Sequence, residues 1–496
     1  MPGRSHPRGA PQPGSSIDLL SPAYPSVLSV EVTTRCNLKC KMCALVSGGT
    51  RSSRNPGHME AAVWHRIIEA ARGVDHVNVN GWGENFANPR FLTLLADLDR
   101  LGVPTNFSTN GTYLTPENVA HLAALRHLTH INVSIDSPDP DVFAAVRGGS
   151  LPRVLSGLGN LVAGLPRPER ITVSSVVMRS TVESLVRFPE LLSRIGVRNY
   201  VLQGLVDGGR RFADEALPVG DAVSDALEQI RSGCAEHSLN LLVHPYLGHQ
   251  VARREPSIWR DAPDGKVGAH SGPSSADTRQ CTSPWDHIFV NKDGQVLPCC
   301  NSAVWEETST DGQNVMGDLS SQSFAEVWHG EKFRRFRRDL LEGPMPSICR
   351  TCTVTSTGTH PLKLYAARLE PRPWWKPSQR LELIVRNSGT STWTKKTGLH
   401  IGTSAPRDRI SSWHHRSWLN ANRIGTFSEE AVRPGERAHF ELPVTAEEAD
   451  FREVFELVVE GVCWLPNTRF RLGRRRSWDS AEKLEIQPSS PAAAGR

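Results

Sequence analysis

Cys36, Cys40 and Cys43 punctuate the segment EVTTRCNLKCKMCAL, and their type and spacing make it the first place along the chain where chemistry could be done. Positions i, i+4 and i+7 share one side of a helix, so three thiols packed on a helical face are one reading. The interleaved Arg35, Asn37, Lys39 and Lys41, placed directly after an apolar run, favour instead a loop at a strand's C-terminal end, where α/β folds keep their chemistry. Three thiolates are one short of the closed tetrahedral shell of a structural zinc. They suit a four-iron cluster in which three irons are held by cysteine and the fourth stays open for another ligand.

A second group comprises Cys281 in CTSPW, Cys299 and Cys300 at the end of IFVNKDGQVLPCC, and Cys349 and Cys352 in ICRTC. Asp293-Gly294 marks a hairpin between the strands that carry the first two. Cys281, Cys299, Cys349 and Cys352 supply four thiolates, enough to enclose either a second iron–sulfur cluster or a zinc ion. Cys300 is then spare: an exchangeable ligand, an inert thiol or a hydrogen-atom donor. Cys234, within LEQIRSGCAEH, reads as a buried structural thiol.

These groups need elements to position them. Apolar runs at 26–33, 76–81, 105–109, 130–136, 171–178 and 200–204 predict buried strands, each followed by an amphipathic helical stretch with Gly near several C-terminal ends. Six consecutive βα units imply a parallel sheet, doubly wound or curled into a partial barrel. The chain accordingly divides into a disordered tail (1–22), the α/β domain (23–238), an irregular linker (239–280), the cysteine-rich segment (281–358), a β-sandwich of about seven short strands (365–488) and a second tail (489–496). A length of 496 residues agrees with about three domains. The balance of 57 Lys and Arg against 52 Asp and Glu is too mild for a nucleic-acid binder. No run approaches the roughly 20 apolar residues of a membrane span, and the first residues lack the apolar core of a secretory signal. A cytoplasmic protein without membrane partners is expected, in which cysteines are metal or redox groups before they are disulfides.

CxxxCxxC after the first strand resembles the radical S-adenosylmethionine (SAM) superfamily. The resemblance implies a partial (βα)6 barrel and a [4Fe-4S] cluster on Cys36, Cys40 and Cys43. The open iron would be chelated by SAM and, on reduction, SAM would be cleaved to a 5′-deoxyadenosyl radical that abstracts a substrate hydrogen. Gly81-Trp82-Gly83-Glu84 resembles the family's glycine-rich element, whose Glu meets the SAM amino group, although Asn85 stands where that element usually has Pro. Ser108 and Asn110 close the third strand, Ser134 and Asp136 the fourth, where similar enzymes contact the SAM ribose or carboxylate; Arg147 resembles a carboxylate partner, and Met42 lies where it can pack near the adenine. STNG (108–111) could equally be a turn, SID (134–136) a helix N-cap, and Met42 a core residue.

From Cys281 to Cys352 the order CxxPW, DGxVxPC, GDL, a Trp-containing helix and CxxC is similar to the twitch form of the SPASM domain, which implies one auxiliary [4Fe-4S] cluster. The resemblance then implies an oxidoreductase reduced by a flavodoxin or ferredoxin. Its reaction would be dehydrogenation of a carbinol carbon, with an amino sugar or aminocyclitol preferred over a peptide because no peptide-recognition module is evident at the N-terminus. Epimerisation, with Cys300 or Cys234 returning the hydrogen, and peptide modification stay open, as do a structural zinc at the second site and a scaffold without turnover. Residues 386–393 (RNSGTSTW) resemble an immunoglobulin-like sandwich family. Its tryptophans are expected in the core before a sugar-stacking surface, and His414, His415 and Arg416 read as a solvated turn.

Overall fold

Each predicted apolar run forms a strand in the computed structural model, which describes residues 19–22, 24–46, 56–205, 212–217, 221–244, 247, 278–303, 314–350, 352, 357–358, 360–370, 381–404, 407–411, 418–442, 452–475 and 483–488. Strands β1 (Val27–Val30), β2 (His76–Val79), β3 (Thr105–Thr109), β4 (Leu128–Ser134), β5 (Ile171–Val177), β6 (Asn199–Gly204) and β7 (Asn240–Val243) lie side by side in chain order, and every neighbouring pair is parallel. Helices such as Phe91–Leu101, Pro116–Ala123 and Leu151–Gly164 connect them. Their ends follow local chemistry: the Thr115 side chain accepts from the Asn118 N–H at one N-terminus, and Gly102 takes a left-handed φ of 74° at one C-terminus.

The sheet runs one strand beyond the six sequence repeats, past the boundary drawn at residue 238. The seventh run, NLLV, shows no clean buried pattern because β7 is an edge, with Leu242 58% exposed. The other end of the sheet also differs from the segmentation. Strand β8 (Thr278–Arg279) pairs with β12 (Thr357–Gly358), whereas β9 (His287–Val290) joins β1 in parallel, Val27 facing both His76 and His287. Strand β10 (Gln295–Leu297) adds antiparallel to β9 through the predicted Asp293-Gly294 hairpin turn, and β11 (Gly317–Asp318) adds antiparallel to β10. The cysteine-rich segment thus begins as an extension of the barrel sheet.

Burial alternates along β2 to β4. Val77, Val79, Phe107, Ile131 and Val133 are at most 1% exposed on one face. The opposite face carries His76, Asn78, Asn106, Ser108, His130, Asn132 and Ser134, all partly accessible. A barrel filled by its own side chains would show branched apolar residues on both faces; here one face is apolar and buried, and the other is polar and partly accessible.

The described residues fall into two compact units, one of Pro25–Phe333 with Glu342–Gly358, the other within Met1–Tyr24, Arg334–Leu341 and Thr359–Arg496. The 281–358 segment is therefore divided between them. Of the predicted N-terminal tail, residues 1–18 lie outside the described residues, as does the tail from 489; the Leu20 carbonyl accepts a hydrogen bond from the buried Arg337.

The second unit is antiparallel. β13 (Ala367–Leu369), β14 (Leu381–Asn387) and, later in the chain, β18 (Arg437–Leu442) form one sheet; β15 (Trp393–Thr394) pairs with β17 (Ala431–Val432); and β16 (Leu399–Thr403), β19 (Arg452–Val459), β21 (Phe470–Arg475) and β22 (Lys483–Pro488) form another, with β20 (Cys463–Trp464) on β19. The Asn-x-Gly-x-x-x-Trp pattern is built into this core. Asn387 donates to the Ser391 and Val432 carbonyls, a Cβ on Gly389 would lie 2.2 Å from the Leu364 oxygen, and Trp393 is fully buried against Phe427. Trp418 is buried, and the Trp464 ring carries the guanidinium groups of Arg407 and Arg423 at 4.9 and 5.2 Å. Trp374, Trp375, Trp413, Trp478, His414, His415 and Arg416 lie outside the described residues.

Candidate functional site

Cys36, Cys40 and Cys43 lie in a loop of turns directly after β1, not on a helix. The loop is tied on three sides. The Thr34 N–H donates to the Gly57 carbonyl, the Glu84 N–H to the Arg35 carbonyl and the Lys41 N–H to the Val146 carbonyl. Glycine is required where the Gly81–Glu84 segment meets this loop: a Cβ on Gly83 would lie 2.4 Å from the Thr33 oxygen, and one on Gly81 2.4 Å from Glu31 Cγ. Trp82 N–H donates to the buried Glu31 carboxylate at 3.0 Å.

Each thiol meets hydrogen-bonding partners. The Leu38 N–H reaches Cys36 Sγ at 3.4 Å and Asn110 Nδ2 at 3.9 Å, while Arg147 Nη1 stands 4.0 Å from Cys40 Sγ. Backbone N–H groups of Leu45 and Val46 serve Cys43. Burial nevertheless pushes all three thiols up from their ordinary value, because these donors do not replace the hydration of a thiolate. A cationic iron cluster would supply the missing charge, and sulfurs already met by N–H donors fit it. Among the described residues, no three His, Cys, Asp or Glu side chains converge as they would on a single metal ion.

Glu84 is 3% exposed and accepts from Thr109 Oγ1 and the Asn110 N–H, both at 2.7 Å. Burial raises its carboxyl despite those donors. Asn85, where the related element carries Pro, donates to the Val79 and Ser108 carbonyls at 2.9 Å and so laces the ends of β2 and β3, which Pro could not do. Asn110 also donates to Asn37 Oδ1, and Asn37 in turn to Thr112; sequence reasoning missed both partners, and only their closeness across 73 and 75 positions reveals them. Asp136 and Arg147 pair with each other at 2.5 Å in a buried bridge, and the Asp136 carboxylate accepts from the Val176 N–H. Charge from Asp136 and Cys40 holds the Arg147 guanidinium firmly protonated against burial. Ser108 accepts from Asn132, and Ser134 ends β4 beside Ser174. Met42 packs against the apolar cluster of Val146, Met178, Leu205 and Phe212.

The polar face of the sheet also carries imidazoles. His76 bonds Asn106 at 2.6 Å and His287 bonds Ser29 at 2.7 Å. Burial, with His76 adding to it, pushes His287 down to about 4, and burial also lowers His76 and His130. The unfolded chain protonates such rings near the usual 6.5, which the folded His287 resists until about 4. Stability is therefore full above that window and falls as pH drops through it, by about 2 kcal/mol for His287 after allowing for solvent at the polar face. Denaturant titrations at pH 7 and pH 4.5 check this: His287→Asn should lose part of the wild-type slope, and an unchanged slope would refute the assignment.

The second cysteine group lies close enough for its members to influence one another's charge. Cys299, after β10, feels the charges of Cys300, Cys281 and Cys349, and burial first, then these neighbours, push its thiol well above the ordinary value. Cys281 is raised by burial and feels Cys352 and Cys300. These five cysteines are neighbours in the fold, with Cys300 the exposed one. Cys234 is 1% exposed in the helix Asp221–Glu236, a packing position. Among the described residues, no helix is long and apolar enough to cross a membrane.

Residues 30–192 match the radical SAM superfamily, and residues 281–353 match SPASM, an iron–sulfur cluster-binding domain. The chain is 25% identical over 328 residues to an AdoMet-dependent heme synthase of Methanosarcina barkeri, covering 63% of this chain and 85% of that one. It is 25% identical over 336 residues to a PqqA peptide cyclase of Streptomyces rochei, covering 66% and 81%. It is 34% identical over 175 residues to the mycofactocin maturase MftC of Mycobacterium tuberculosis, covering 35% and 43%. Streptococcus suis SuiB, solved with its precursor peptide SuiA, shares the fold at a TM-score of 0.50 and 14% identity over 68% of this chain and 71% of that one.

Proposed function

Because this chain belongs to the radical SAM superfamily and carries a SPASM iron–sulfur domain, we propose that it modifies a peptide by abstracting a hydrogen atom from one of its residues. The observation that carries this reading is the PqqA peptide cyclase alignment, whose 336 residues extend well beyond the 30–192 segment; the likeness to a maturase supports it. When bound, a four-iron cluster and SAM supply an electron and the 5′-deoxyadenosyl radical that takes the hydrogen.

Cys36, Cys40 and Cys43 hold that cluster, with Asn110 and Arg147 steadying two of the sulfurs. Gly81 and Gly83 let the backbone approach, Glu84 fixes the end of β3, Ser108 and Ser134 face the nucleoside from the strand ends, and the buried Asp136 orients the Arg147 guanidinium. Met42, partly exposed and packed on its apolar cluster, offers an apolar surface suited to a purine. The amides, hydroxyls and neutral imidazoles of the polar face orient an uncharged, hydrogen-bonding stretch of substrate such as a peptide backbone. Cys281, Cys299, Cys349 and Cys352 hold the auxiliary cluster, and Cys300 is a fifth, exchangeable sulfur; hydrogen donation by it belongs to an epimerase reading. The reductant is a flavodoxin or ferredoxin.

The test is anaerobic turnover with SAM and dithionite, offering in parallel the short peptides encoded beside this chain and a set of amino sugars and aminocyclitols. We expect 5′-deoxyadenosine in step with modified peptide, detected as loss of hydrogen or a new crosslink by mass spectrometry. Deoxyadenosine coupled to oxidation of a carbinol carbon, with every peptide unchanged, would replace this reading with the dehydrogenase one.

A further inference from the structure

Lys41 stands between two of the three cysteines in the loop, yet its ammonium reaches across the site. Its Nζ lies 2.6 Å from Glu215 Oε1 and 2.9 Å from Asp214 Oδ2. The two carboxylates differ in kind: the Asp214 side chain is 64% exposed, whereas that of Glu215 is 3% exposed. An exposed pair contributes little, but a buried carboxylate must be matched by a partner or its burial is strongly unfavourable. The other Glu215 oxygen accepts from the Ser180 N–H at 3.1 Å, and its backbone carbonyl accepts from the Arg179 N–H at 3.1 Å. Glu215 therefore joins the loop after β5 to the segment after β6, and through Lys41 joins both to the cysteine loop. The Lys41 backbone N–H is held at the same time by the Val146 carbonyl at 2.7 Å. Phe212, three residues before Glu215, belongs to the cluster that packs on Met42.

We propose that Glu215 is a positioning residue: through Lys41 it pins the Cys36–Cys43 loop to the C-terminal ends of β5 and β6, setting the geometry in which the three thiols meet a cluster and SAM. This rests on the reading of that loop as the cluster loop. The physical need is clear, since the loop that carries the three cysteines has no helix to stiffen it. A cation inside the loop, anchored on a buried anion outside it, fixes the direction of the loop.

The first measurement uses the full chain stripped of metal by chelation and follows iodoacetamide labelling of Cys36, Cys40, Cys43 and Cys234 by mass spectrometry. Glu215→Ala, Glu215→Gln and Lys41→Met should each raise labelling at Cys40 and Cys43 about tenfold, while Cys234, buried away from the loop, keeps its wild-type rate. A parallel rise at Cys234 would mean general loosening and would overturn the proposal. So would a Glu215→Gln rate equal to wild type, because shape without charge would then suffice. The second measurement is the EPR spectrum of the reduced, reconstituted protein with and without SAM. The wild-type change on SAM addition should be lost in Glu215→Gln at unchanged iron content, and an identical change would again overturn the pin. Failure of the wild type to load iron on this loop would sink the cluster reading instead, leaving the labelling result to decide the pin by itself.

Discussion

Replacing Cys36, Cys40 and Cys43 together by alanine lowers the iron recovered after anaerobic reconstitution from about eight to about four per chain and abolishes formation of 5′-deoxyadenosine. The expectation follows from two separate groups of cysteine on different elements. The first loop's thiols meet donors from Leu38, Asn110 and Arg147, whereas the second group is built from β10 and the Ser347–Arg350 turn. Neither shares a ligand with the other, so one can be emptied while the other loads. Iron and zinc analysis with the EPR spectrum decides it. About four irons plus one zinc in the wild type, falling to zinc alone in the variant, would make the second site structural and remove it as an electron acceptor.

Cys299→Ser and Cys300→Ser should then behave oppositely, although the residues are neighbours. Cys299 is half-buried, and burial first, then the charges of Cys300, Cys281 and Cys349, raise its thiol, so a thiolate there needs a positive partner such as a metal. Its loss should halve the iron content and drop turnover by at least about a hundredfold, while deoxyadenosine formed without substrate persists. Cys300 is exposed. Cys300→Ser should keep about eight irons, with turnover reduced less than about tenfold. Equal iron loss in both variants would make Cys300 a required ligand. Full iron with the product's stereochemistry altered would make it a hydrogen donor.

Much of the arrangement was legible in the chain because it rests on local rules. The apolar runs that form β1 to β6 follow from burial under helices, and the Asp293-Gly294 turn follows from backbone preference. The edge strand β7 was not legible, since an edge carries no burial pattern to read. The joining of β9 to β1 was hidden for another reason: Val27 and His287 are 260 positions apart, and parallel pairing leaves no turn signal between them. The departure at Asn85 looked like a weakened match until its two carbonyl partners on β2 and β3 were seen.

What the sequence determined by itself is where the thiols stand, in two groups of short spacing beside strand ends, because residue type and spacing are covalent facts. Only the tertiary structure decided how those atoms are held. The Asp136–Arg147 bridge, the Asn37–Asn110–Thr112 chain and the Lys41–Glu215 pin each join side chains from different strand ends. A buried polar group takes whichever partner the fold brings within about 3 Å, and that choice is made by the packing of the whole sheet.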